Sequence, residues 1–149
     1  MTDTLLQHAT AVAIDGEAVL LRGPPGSGKS DLALRLINDG AQLVADDQTL
    51  LRRAGSRIVA SAPPAISGLI EMRGIGIFRV DATEAPLFLI ADLVAFDAVE
   101  RLPESRREAI LGVEVPLITL APFEASAPAK LRFFRRALAA DRLHAIIGQ

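Results

Sequence analysis

The stretch VLLRGPPGSGKSDLALRLINDGAQLVADD, residues 19–47, decides the fold. A short apolar run, Val19 to Leu21, leads into Gly23-Pro24-Pro25-Gly26-Ser27-Gly28-Lys29-Ser30, which satisfies G-x-x-x-x-G-K-[ST] at every fixed position. From Ser30 to Asp39 the apolar residues Leu32, Ala33, Leu36 and Ile37 recur on one face of a helix, and Gly40 is placed to end it. Leu43 to Ala45 then reads as a strand closed by Asp46-Asp47. Strand, glycine loop, helix and strand in this order predict an α/β protein.

The residue types in the loop follow from what a phosphate needs. Gly26 and Gly28 let the backbone curl so that successive N–H groups point inward, where they and the helix N-terminus bind phosphate oxygens. Lys29 brings positive charge to the β and γ phosphates, and the Ser30 hydroxyl is a ligand for Mg²⁺. The motif predicts a bound nucleoside triphosphate without naming the reaction. The chain carries fourteen Arg against two Lys, Lys29 and Lys130, so one of its two lysines stands in this motif.

Outward from the loop, Val12 to Ile14 pairs with Val19 to Leu21 across Asp15-Gly16 as a hairpin. Thr49 to Leu51 and Arg57 to Ala60 flank Ala54-Gly55-Ser56, a second hairpin, and Pro63-Pro64 marks a loop. Leu87 to Phe96 holds buried strand, and Pro103 to Leu111 reads as a helical turn with a charged face. Val113 to Leu120 is a strand with Pro116 at an edge or bulge. Ala129 to Ile146 reads as a helix, with Leu131, Phe134 and Leu138 inward and Arg132, Arg135 and Arg136 outward as solvated surface or a partner contact. The expected total is about seven strands and three helices in one domain over residues 1–149.

Composition excludes several classes of function. The 149 residues are 50% hydrophobic, enough for a buried core, and no apolar run approaches the ~20 residues of a membrane helix. Without cysteine there is no disulfide, zinc–thiolate site or cysteine nucleophile, and two histidines make a histidine-rich metal site unexpected. A net charge of −2 argues against bulk nucleic-acid binding. The opening MTDTLLQHAT shows no signal-peptide pattern, and a cytoplasmic protein is expected.

Phosphoryl transfer also needs metal ligands, a proton acceptor and positive charge on the moving group. Asp46 and Asp47 close a strand, where ligand crevices of open α/β sheets lie, so one could hold metal and the other act as a base; a polar turn is the alternative. Glu71 and Arg73, in Glu71-Met72-Arg73-Gly74-Ile75-Gly76-Ile77, would share one side of an extended chain. They suit a metal and a phosphate, or simply an ion pair with each other. Asp92, which ends the apolar run Leu87 to Ala91, is a rival metal ligand. His8 precedes the first of these strands and could reach the crevice.

These pieces, in this order, resemble the catalytic domain of bacterial HPr kinase/phosphorylase, which phosphorylates a serine of the phosphocarrier protein HPr and can reverse the reaction. The resemblance rests on His8, GPPGSGKSDLALRLINDGAQLVADD (23–47), IEMRGIGIFRV (70–80) and, more loosely, Arg101-Leu102 and LGVEVPLITL (111–120). It implies an α/β core with a mixed sheet similar to phosphoenolpyruvate carboxykinase, and a hexamer as in full-length members. Without the family's N-terminal domain, the chain resembles the short alphaproteobacterial form.

The resemblance further implies that Asp46 accepts the proton of the target serine, supported by His8. Ser30, Asp47 and Glu71 would serve Mg²⁺ directly or through water, and Lys29, Arg73 and Arg101 would stabilise phosphate charge. After Leu120 the family has a Pro-Gly-Arg-Asn-type segment where this chain reads APFEASAPAKLRFF. That segment bears on the reverse reaction and on partner contact, so the expectation is for the kinase direction rather than the phosphorylase one. The expected function is an ATP- and Mg²⁺-dependent serine kinase for an HPr-like carrier of the phosphotransferase system. A small-molecule or nucleotide kinase and a non-catalytic ATP-binding sensor are the alternatives.

Overall fold

The computed structural model describes residues 3–146, with side chains as far as residue 141. Its centre is a hairpin made of β2 (Ala9–Ile14) and β3 (Glu17–Arg22), preceded by β1 (Thr4–Gln7). Asp15 and Gly16 both take positive φ, 49° and 82°, as the two-residue turn of a twisted hairpin requires. Every residue of β2 is buried, as in a strand covered on both faces. The helix α1 (Lys29–Asn38) leaves the glycine loop, and β4 (Gln42–Ala45) returns antiparallel to β2. Gly40, at φ 105°, ends α1: its N–H reaches Ile37 O and that of Ala41 reaches Leu36 O.

The second predicted hairpin is β5 (Thr49–Ala54) with β6 (Arg57–Ser61). A small hairpin, β7 (Leu69–Met72) with β8 (Gly76–Arg79), stands apart from the main sheet. The long strand β9 (Ala85–Leu93) follows, then β10 (Arg106–Ile110), β11 (Val113–Leu120) and α2 (Ala127–Ile146). The main sheet has nine strands in the order β1-β5-β6-β9-β3-β2-β4, with β11 and then β10 attached to the far half of β9. It is mixed: β9 runs parallel to β3 and β11 and antiparallel to β6.

Alternation along the strands divides the core into two layers. Val12, Ile14, Val19, Leu21 and Leu89 face α1 and α2 and pack with Leu32, Leu36, Phe88 and Leu131. Ala11, Ala13, Leu20 and Ile90 face the other way, onto Leu51, Ile58, Ile110 and Val115, so the sheet curls over its own second face. No helix among the described residues is long and apolar enough to cross a membrane.

Three expectations are corrected. Eleven strands and two α-helices replace seven and three among the described residues; β1 and the β7–β8 hairpin account for much of the difference. Pro103 to Leu111 is not a helical turn: Leu111 and Gly112, at φ 49° and 82°, form a tight turn that pairs Ile110 with Val113 and draws β10 into the sheet. Of the two expectations for Pro116 the edge one holds: it lies in the β10–β11 ladder without a bulge, one residue before the parallel pairing with β9 begins, so on that side it has no strand partner.

The third correction concerns α2. Leu131, Phe134 and Leu138 do face the core, with Phe134 6.4 Å from Phe88 between ring centres. Arg132 and Arg135, however, are docking groups rather than solvated surface. Arg132 donates to the carbonyls of Leu36 and Asp39 at 3.1 and 3.0 Å, the open C-terminal end of α1. Arg135 donates to Ile14 O and Asp15 O and lies 3.2 Å from Glu17, which also pairs with Arg57. Arg136 alone of the three is exposed, 4.3 Å over the Phe133 ring.

Candidate active site

One edge of the sheet gathers the polar strand ends. Ala9 pairs with Arg22, so His8 and Gly23 leave the hairpin side by side. Ala11 pairs with Ala45, which brings Asp46 beside Thr10. Parallel pairing sets Arg22 beside Asp92, and Asp92 beside Thr119.

The glycine loop, Gly23 to Ser30, bridges β3 and α1. Gly26 and Gly28 take φ 81° and 99°, a left-handed curl in which glycine is unstrained. Gly28 is the N-cap of α1, and no side chain bonds the helix's free N–H groups there. Pro24, Pro25 and Gly26 are exposed on the outer turn. The Ser27 hydroxyl is buried and has no hydrogen-bond partner among the described residues. Lys29 Nζ folds back onto the loop, donating to Gly23 O at 2.6 Å and Pro24 O at 3.1 Å. Such a lysine is loaned to carbonyls that a stronger acceptor can replace.

Asp46 is the best-held acid of the site. It is 8% exposed, yet three donors reach it. Oδ1 accepts from the Ser30 hydroxyl at 2.6 Å and the Thr10 hydroxyl at 3.2 Å, and Oδ2 accepts from the Glu71 N–H at 3.1 Å. Thr10, fully buried, also accepts from the Asp47 N–H at 3.0 Å. Asp47 takes φ 68°, an uncommon conformation outside glycine that bends the chain sharply after Asp46. The pair is therefore more than a polar turn: one carboxylate is locked against the loop and the other is exposed.

The remaining candidates divide. Glu71 reaches Asp46 through its backbone while its side chain is exposed. Arg73 lies in the β7–β8 turn rather than in extended chain, so the expected shared side does not apply. Neither forms an ion pair among the described residues, and the bland reading of a Glu71–Arg73 bridge is not realised. His8 is exposed at the edge where the loop begins. Arg101 is exposed in the segment after β9, and no hydrogen bond connects it to the loop.

Asp92, the rival metal ligand, is committed elsewhere. Arg22 donates to it at 2.7 and 3.0 Å and to Glu108 at 2.6 and 2.8 Å. The hydrogen bonds that Arg22 donates to Glu108 and then to Asp92 raise its pKa further above its ordinary value, outweighing the opposing effect of burial. Thr10 and Asp92's partner Arg22 were not singled out in the sequence. Thr10 becomes visible only once β2 and β4 are paired, because 36 residues separate it from Asp46.

Among the described residues no three His, Asp or Glu side chains converge. Fold and loop together define the class: a mixed-sheet α/β protein with a glycine-rich loop, of the sequence pattern G-x-x-x-x-G-K-[ST], between a central strand and the first helix.

The family model of the HPr Serine kinase C-terminal domain matches residues 1–127, and the chain belongs to that family. The HPr kinase/phosphorylase of Mycoplasma mycoides subsp. mycoides SC is 34% identical over 131 residues, covering 78% of this chain and 42% of the relative. That of Chlorobium limicola is 38% identical over 131 residues, covering 78% and 39%. The chain thus spans about two fifths of the length of these relatives. The structure of the Hpr(Ser) kinase/phosphatase from Coxiella burnetii matches with a TM-score of 0.81 at 30% identity, over 93% of this chain and 98% of that one. The expected mixed-sheet fold and family are therefore both found.

Proposed function

We propose that this chain transfers the γ-phosphoryl group of ATP, with Mg²⁺, to a serine hydroxyl of an HPr-like phosphocarrier protein. The observation that carries this reading is the buried Asp46 carboxylate, held 2.6 Å from the hydroxyl of Ser30 in the glycine loop. The relatives that share the domain are HPr kinase/phosphorylases. The residues fit the two groups the reaction needs. The partnerless Ser27 hydroxyl and the uncapped N-terminus of α1 offer donors to a polyphosphate. Ser30 and Glu71, with Asp47 on the outer side, offer oxygens to Mg²⁺. When bound, Mg²⁺ would neutralise charge on the transferring phosphates.

The chain's own residues do the rest. Lys29 exchanges its two carbonyl acceptors for phosphate oxygens and carries charge to the γ position. A carboxylate has about four lone-pair sites. Asp46 fills three, which leaves one on Oδ2 for the hydroxyl of the target serine. Held in this way, Asp46 takes the serine proton as the oxygen attacks. Arg73, exposed on the hairpin beside Asp46 and without an ion-pair partner among the described residues, supplies a second positive charge to the moving group. His8 supports the Asp46 charge from the start of β2.

The test is transfer of label from γ-labelled ATP to an HPr-like carrier and to the same carrier with its target serine replaced by alanine. Label should reach only the first. Asp46→Asn should slow transfer by about a hundredfold or more, the usual scale for losing a general base, with ATP affinity nearly unchanged. Equal rates in Asp46→Asn and the parent would remove Asp46 from the chemistry.

A further inference from the structure

The segment between β11 and α2 lies against the glycine loop. Ala121 and Pro122 are buried, whereas Phe123 between Pro122 and Glu124 is 70% exposed. The segment is tied down on both sides of that ring: Arg35 of α1 donates to Pro122 O and, at 3.2 Å, to Glu124 O. Glu124 in turn pairs with Lys130 at 3.0 Å. The ring edge occupies the space a side chain on Gly28 would need, since a Cβ there would lie 2.9 Å from Phe123 Cζ and 3.0 Å from Cε1. Phe123 is thus an exposed aromatic ring, carried on a segment whose backbone is tied to α1 on both sides of it, against the N-cap residue of that helix.

We infer that Phe123 is the platform on which the base of the bound nucleotide stacks. The inference deepens the nucleotide reading given above and rests on it. A nucleoside triphosphate whose phosphates fill Gly23 to Ser30 must lay its sugar and base over the rim of that loop. At the rim by Gly28 the chain presents an aromatic face, and base–aromatic stacking needs no particular base because each has a π-face. The ligand class is a nucleoside triphosphate read by the face of its base, with the phosphates supplying most of the affinity. Inorganic polyphosphate occupies the same loop and gains nothing from the ring.

Equilibrium titration of the whole chain with ATP, GTP and inorganic tripolyphosphate, each with Mg²⁺, tests this. Phe123→Ala should weaken ATP and GTP by about tenfold, the scale of one lost stacking contact, and leave tripolyphosphate unchanged. Phe123→Trp should restore both nucleotides. Unchanged ATP affinity in Phe123→Ala would overturn the inference, as would an equal loss for tripolyphosphate, which would make the ring a support for the loop. A parent that binds tripolyphosphate as tightly as ATP would also overturn it while leaving the phosphate loop intact. A parent that binds none of the three would overturn the nucleotide reading itself.

Discussion

Thr10 is the residue on which the site's precision depends. It sits in a strand that is otherwise alanine, valine and isoleucine, and its buried hydroxyl joins the side chain of Asp46 to the backbone of Asp47. A buried hydroxyl with two partners is a net gain only while both remain. Thr10→Val keeps the shape and removes both bonds, leaving the Asp47 N–H without its acceptor. Urea unfolding should report a loss of about 1–3 kcal/mol, the cost of an unsatisfied buried group. Transfer should also slow, through kcat more than through the KM for ATP, and Thr10→Ser should recover most of the rate. A Thr10→Val variant with parental kcat would show that Asp46 needs no such support. The loop, Lys29, Ser30 and the Asp pair were legible in the sequence because their spacing is local. Thr10 was not, because its contact depends on the pairing of β2 with β4.

At the scale of elements, local signals worked where local geometry ruled. The Asp15-Gly16 turn and the Gly40 helix end were readable because each needs positive φ at a named residue. The same rule was present at Leu111-Gly112 and went unread, since leucine at φ 49° is not a turn signal by composition. The arginines of α2 misled for a different reason. Period alone places Arg132 and Arg135 off the apolar stripe, but long side chains reach back from the flank, and carbonyls at the end of α1 and of β2 were waiting there. The consequence is measurable. Arg135→Met should cost about 2 kcal/mol in urea unfolding, because charge-assisted bonds to Ile14 O and Asp15 O and the contact with Glu17 are lost together. Arg136→Met, on the exposed side, should stay within about 0.5 kcal/mol of the parent. Equal costs would mean that α2 docks through its apolar stripe alone.

The whole molecule explains why the site lies where it does. A mixed sheet aligns the ends of β3, β9 and β11 in one direction, and antiparallel β2 and β4 bring Thr10 and Asp46 to the same edge. Arg22 fastens that edge by bridging Asp92 at the end of β9 to Glu108 of β10. This occupies the acid that an apolar strand ending in Asp would otherwise offer to a metal, so Asp46 is the strand-end carboxylate in contact with the loop. The curled second layer, formed by β5, β6, β10 and β11, could not be read from the chain, because strand order depends on contacts between residues far apart in sequence.

In the proposed reaction this edge moves a phosphoryl group from ATP to a serine of a phosphocarrier. Intact-mass spectrometry of a purified HPr-like carrier, incubated with this chain, ATP and Mg²⁺, tests it most directly. The carrier should gain one phosphate, located on a serine, and the gain should disappear when Lys29→Ala replaces the parent chain. A carrier of unchanged mass, under conditions where ATP binding by the parent is demonstrated, would contradict it.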